Sequence, residues 1–273
     1  MTPCFLVLTD FTAAADQALA YADTLAAPLG ASLVLLHIRR ESLLDPDAFN
    51  GLVQRMTEGE VAAALAERTA NLTAPVTVET SVAAITEAVQ QAVAQYQPLV
   101  LVLGKPDSGP VPDELVTTTS LKLLRATPLP LLVVPGTSSA PVRPARVTVA
   151  ADGQPFQLHP VAAEAARQLL AALAPAFTIT YVAEPEDSDD CTAARATVLE
   201  NHFLPATAPI HSRGTRHRQP ADGILQAATE TQADLLLLVA RHRSFWGQLF
   251  HHSVTTQLVL HTPIPVLLLP ALP

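Results

Sequence analysis

Two cysteines in 273 residues cannot build a disulfide framework, and Cys4 and Cys191 do not stand in the pairs that a zinc site needs. Cys4 heads an apolar stretch, where a buried and inert thiol is expected. Basic side chains are scarce as well: 16 lysines and arginines stand against 25 acidic residues, for a formal charge of −9. Residues 1–140 carry −7 of that charge and residues 141–273 carry −2, so neither half has the basic excess of a nucleic-acid-binding surface. Long apolar runs are missing too. Leu235–Ala240 and Val266–Leu269 fall far short of the roughly 20 residues that cross a bilayer. The opening MTPCFLVLTD has no basic segment ahead of an apolar one, as a signal peptide would. The expectations are no nucleic acid, no membrane and a cytoplasmic location. Nine histidines include no HExxH or comparable spacing, so no metal is expected. There is no GxxxxGK[ST] loop, no GxGxxG after a strand and no GxSxG elbow, and no catalytic residue can be assigned.

What the chain does have is a repeat. Thr117–Pro135 reads TTTSLKLLRATPLPLLVVP and His252–Pro270 reads HSVTTQLVLHTPIPVLLLP, aligned without a gap at an offset of 135. FLVLTD, ending at Asp10, recurs as VTVAAD, ending at Asp152. SLVLLHI (Ser32–Ile38) recurs as FTITYV (Phe177–Val182), and LVLVLG (Leu99–Gly104) as LLLLVA (Leu235–Ala240). The turn-rich stretch between the copies gives a division into residues 1–136, a linker of 137–143, and residues 144–273. Continuous apolar runs alternate with alanine-rich stretches of helical spacing in each copy. That alternation predicts two tandem, doubly wound, five-stranded and mainly parallel sheets with helices on both faces. The last helix is expected over Thr118–Ala126 in the first copy and Ser253–His261 in the second. In such sheets ligands bind at the carboxyl ends of strands. This points to Asp10, Ile38 and Gly104, and to Asp152, Val182 and Ala240.

Asp10-Phe11-Thr12 after the opening strand, LLHI, the strand ending in Gly104 and the closing PLPLLVVP together resemble the universal stress protein family, twice over. The resemblance implies an α/β fold of the adenine nucleotide alpha hydrolase type and two halves that pair through their last strands. That pairing would make a pseudo-dimer, with further homodimerisation open. Pro130 and Pro265 would then stand at edge positions. The implied role is stress-linked sensing or partner binding, with ATP or another adenine nucleotide as ligand.

Nucleotide-binding members of the family have a glycine at the strand end, a second glycine three residues on, and a third that opens the last helix beside a hydroxyl residue. Glycines let backbone approach phosphate, and a helix start binds anions. The first copy keeps Gly104 but has Asp107 and Thr117 at the other two positions, with Thr118 and Ser120 following. Asp107, Asp113 and Glu114 stand there against one Lys105. The second copy aligns Ala240 and Arg243 with the first two glycines, its loop one residue shorter, and has His252 ahead of Ser253 and Thr255. Arg241, His242, Arg243, His251 and His252 favour an anion at that helix start. The candidate ligand contacts are thus Asp10, Ile38, Gly104, Thr117, Thr118, Ser120, Asp152, Val182, Arg243, Ser253 and Thr255. Each has an ordinary alternative: Asp10 and Asp152 as turn anchors, and the serines and threonines as helix caps. Two rival functions stand beside the nucleotide or anion reading, namely a ligand-free interaction scaffold and a weak ATP hydrolase.

Overall fold

The computed structural model describes residues 2–39, 56–106, 113–136, 142–241 and 253–272, and of residues 113–118 and 121 the backbone alone. The first copy runs β1 (Cys4–Thr9), α1 (Ala13–Ala26), β2 (Ser32–Ile38), α2 (Glu58–Thr69), β3 (Val76–Ser81), α3 (Ile85–Tyr96), β4 (Val100–Lys105), α4 (Asp113–Ala126) and β5 (Leu131–Pro135). The second runs β6 (Arg146–Ala150), α5 (Pro160–Leu173), β7 (Ala176–Ala183), α6 (Thr192–Glu200), β8 (Ile210–Arg216), α7 (Pro220–Glu230), β9 (Leu235–Ala240), α8 (Val254–His261) and β10 (Val266–Pro270).

Continuous apolar strands suit burial on both faces, and the inner strands show it. Phe5 and Val7 face one core with α1, α2, α5 and α6, among them Leu25, Leu65, Leu169 and Val198. Leu6 and Leu8 face the other, built with α3, α4, α7 and α8 around Val89, Leu123, Ile224 and Leu258. Local signals set the helix ends. Thr12 caps α1 through Ala15 N, and Thr57 and Glu60 form a reciprocal capping box on α2. Pro160 opens α5, where its missing N–H costs nothing.

Each half orders its strands 3-2-1-4-5, all parallel, as the alternation predicts. Where the sequence reads as two sheets, the structure joins the halves edge to edge. β5 and β10 pair antiparallel, with Val133 opposite Val266 and Leu131 opposite Leu268, and the result is one sheet of ten strands. Both last strands are therefore interior and not edges. Pro130 and Pro265 lie just ahead of the first paired residues and use their carbonyls on Leu101 N and Leu236 N, so neither strand loses a ladder bond.

The antiparallel joint also sets the ends of the strands. The carboxyl ends of β1 and β4 lie on the same side of the sheet as the amino ends of β9 and β10. One boundary differs from expectation. α4 begins at Asp113, not near Thr118. Pro112 stands just ahead of it and Asp113 and Glu114 fill its first turn, where carboxylates complement the positive end of the helix.

Candidate functional site

In the first copy Thr9 pairs with His37 and Val7 with Val102, which sets Asp10 beside Ile38 and level with Lys105, one residue past Gly104. Neighbouring strands lie about 4.8 Å apart, so these carboxyl ends form one short ledge. Asp10 is exposed, and among the described residues its carboxylate bonds only Thr12, at 3.1 Å from the amide and 2.6 Å from the hydroxyl. Phe11 then turns with φ of 66°, a left-handed conformation that costs a non-glycine residue of order 1–3 kcal/mol. Its surroundings hold it there. The ring stacks on His37 at 4.2 Å, the Arg68 guanidinium lies over it at 4.9 Å, and Arg68 also bonds Phe11 O and Asp16. His37 Nδ1 in turn lies 3.0 Å from Thr9 O. Ile38 is half-buried at the end of β2.

Gly104 has a structural reason for being glycine. A Cβ there would lie 2.3 Å from Ala14 O and 2.7 Å from Ala15 N, because the first turn of α1 rests on β4. Thr117, Thr118 and Ser120 do not open their helix. They follow a full turn beyond Asp113, past the four amides that a helix start leaves unpaired. Ser120 is buried at 3% exposure and its hydroxyl has no partner among the described residues.

The second copy is arranged differently at the same level. Asp152 accepts from Gln154 N, and Gly153 repeats the left-handed turn with φ of 75°. Arg241 closes on this turn, with Nη2 2.7 Å from Asp152 Oδ1, Nη1 3.1 Å from Oδ2, and Nη2 a further 2.7 Å from Gln154 O. The guanidinium also lies over Phe156 at 5.4 Å. A bidentate fork of this kind is the stronger form of ion pair. Arg241 is thus engaged by its own copy, and the sequence reading that set it in an anion clamp is corrected. Val182 is half-buried against α7, whose Gly223 would put a Cβ 2.7 Å from it. Ser253 spends its hydroxyl on capping α8, accepting from Thr256 N at 3.1 Å, and Thr255 is buried. Arg243, with Asp107, His242, His251 and His252, lies outside the described residues.

Register also corrects one equivalence. Gly104 pairs with Val134, and the matching partner 135 residues on, Leu269, pairs with Val239. The two core clusters agree, since Val134 and Leu269 share a face. Val239 is therefore the counterpart of Gly104 and Ala240 that of Lys105, and the offset of 135 runs from β4 to β10 without a gap. A side chain fits at 239 because nine residues, 151–159, join β6 to α5, against three between β1 and α1.

The sequence reading missed the Arg241–Asp152 pair and the reach of Lys105, whose Nζ lies 2.7 Å from Leu260 O in the other half. Neither could be read locally, since the first depends on β6 lying beside β9 and the second on the β5–β10 joint. Burial pushes both thiols upward from their ordinary pKa, Cys4 against Tyr96 O and Cys191 in its acidic loop. Among the described residues no cluster of His, Cys, Asp and Glu could hold a metal, and no helix is long and apolar enough to cross a membrane.

A family model, the universal stress protein family, matches residues 1–135 and again 145–270. No curated protein matches the chain. Among solved structures, a universal stress protein from Archaeoglobus fulgidus superposes with a TM-score of 0.67 at 16% identity, covering 98% of each chain. The cytoplasmic domain of a prokaryotic cation chloride cotransporter superposes with a TM-score of 0.50 at 10% identity, over 98% of this chain and 95% of that one. At such identities the superpositions speak for the fold, while the two family matches, laid end to end over nearly all of the sequence, carry the assignment. The chain belongs to the universal stress protein family, with the family's domain present twice.

Proposed function

We propose that this is a non-enzymatic protein of stress-linked sensing or partner binding that takes one adenine nucleotide, at the strand ends of its first copy. One observation carries the reading. Asp10 stands exposed beside Ile38 and Gly104 with only Thr12 bound among the described residues, whereas Asp152 in the second copy is occupied by Arg241. An exposed carboxylate accepts hydrogen bonds from a ribose or adenine edge, and one already forked by a guanidinium does not. The units are residues 1–136 and 144–273, joined through β5 and β10 as a pseudo-dimer, and the setting is cytoplasmic.

Equilibrium dialysis with ATP tests this. One site per chain is expected, and Asp10→Ala should weaken it about tenfold or more, the worth of one charge-assisted hydrogen bond. Arg241→Ala should leave that site unchanged. ATP binding untouched by Asp10→Ala would refute the assignment.

A ligand-free scaffold is the second reading, favoured by the Arg241–Asp152 closure and by the side chain of Val239 where the first copy has glycine. Mass spectrometry of small molecules released from the purified protein separates the two. Phosphate release from ATP above background would instead favour a hydrolase.

A further inference from the structure

We propose that Lys105 clamps the last helix of the second copy to the ligand end of the first, so that the first copy governs the final turn of α8. Lys105 ends β4 directly after Gly104 and level with Asp10. Gly104 faces α1, and Lys105, one residue on, turns to the opposite side of the sheet and into the other half. The residue is only 4% exposed. Its ammonium donates to Leu260 O at 2.7 Å and to Thr262 O at 3.2 Å, across 155 and 157 residues of chain. These carbonyls belong to the end of α8, where a helix has acceptors without N–H partners and a partial negative charge. An ammonium taken out of water at this depth is stable only where such acceptors meet it.

The repeat supplies an internal control. The counterpart of Lys105 is Ala240, buried at 7% exposure. A methyl group cannot reach the carbonyls of Arg125 and Thr127, which stand at the matching end of α4. At the end of α4 an exposed Gln90 Nε2 donates to Ala126 O at 3.3 Å in place of a buried ammonium, and the backbone closes the two ends alike. Thr262 N bonds Leu258 O at 3.0 Å, and Thr127 N bonds Leu123 O at 3.2 Å. Both threonines are buried. The clamp thus runs in one direction, from the first copy to the second. A ligand that stiffens the ends of β1 and β4 stiffens α8 through it, a consequence that rests on the nucleotide reading above.

Amide hydrogen exchange on the full chain reads the clamp, because exchange reports local opening. In the unmodified protein Thr262 should exchange about tenfold or more slowly than Thr127. Lys105→Met, which keeps the length and removes the charge, should speed Thr262 about tenfold and leave Thr127 alone. ATP should slow Thr262 in the unmodified protein and not in Lys105→Met. Equal exchange at Thr262 and Thr127 overturns the clamp even if the variant fails to fold, and so does an unchanged Thr262 in a folded variant. ATP that binds by dialysis without altering Thr262 also overturns it while leaving the nucleotide site standing. A chain that binds no ATP, yet loosens at Thr262 in Lys105→Met, upholds the clamp and removes the nucleotide reading.

Discussion

A methyl group at position 104 would meet backbone atoms of α1 and not a flexible side chain, so the helix itself has to move. Gly104→Ala should therefore destabilise the chain by about 1–3 kcal/mol, the range for forced overpacking. Urea denaturation measures this, and a midpoint equal to that of the unmodified protein would show that α1 yields freely. The glycine that looks like a phosphate contact has a packing duty whether or not a phosphate comes. Phe11 and Gly153 make the complementary point. Both occupy the same left-handed turn, one with glycine's freedom and the other held by His37 and Arg68. At the thiols, burial raises both pKa values, so neither is activated at neutral pH. Titration with a thiol reagent should modify half-buried Cys191 slowly and buried Cys4 only on unfolding.

At the scale of elements, the capping box of α2 gives a pH dependence of known sign. The amide and hydroxyl of Thr57 hold the Glu60 carboxyl below the ordinary carboxylate value. A depressed folded value means that the stabilisation is present at neutral pH and is lost as the pH falls through that value. Glu60→Gln should lower the melting temperature at pH 7, with the difference shrinking below about pH 4.3, the unperturbed glutamate value, and closing only beneath the depressed folded value. A constant difference across that range would remove the carboxylate from the cap. On the outer strands of the second copy, Thr180 and Thr215 lie buried on β7 and β8 with hydroxyls that have no partner among the described residues. Leu36 stands in the first copy where Thr180 stands here, and Thr180→Val should be neutral or stabilising by up to about 1–3 kcal/mol, the cost of an unsatisfied buried group. Chemical denaturation showing a loss would mean that the hydroxyl has a partner.

The elements were legible because their signals are local. Apolar runs such as Cys4–Leu8 are too short for buried helices and alternate with helical stretches, so they read as doubly buried strands, and Thr12 and Thr57 stand where helix caps belong. The start of α4 was misread because TTTS looks like a cap, while the acidic pair before it was weighed as a threat to phosphate and not as a helix opening. The one-residue slip between Gly104 and Ala240 arose because LVLVLG and LLLLVA align by hydrophobicity in either register. Only strand pairing and face distinguish them. The Arg241–Asp152 fork could not be read at all, since it depends on β6 and β9 being neighbours across 89 residues.

At the scale of the whole molecule, the joint between β5 and β10 buries Leu131, Val133, Val266 and Leu268 in one continuous core layer. The halves should therefore unfold together. Calorimetry is expected to give a single transition, and two resolved transitions would show that each half stands without its neighbour. The same joint has a historical consequence. In an assembly of two identical chains, every substitution strikes both sites at once, so a change that helps one and harms the other is lost. Fusing the copies into one polypeptide lifts that constraint. A lysine can be kept at 105 without its mirror at 240, and an arginine can close one ledge while the other stays open, so duplication turns a forced symmetry into a division of labour.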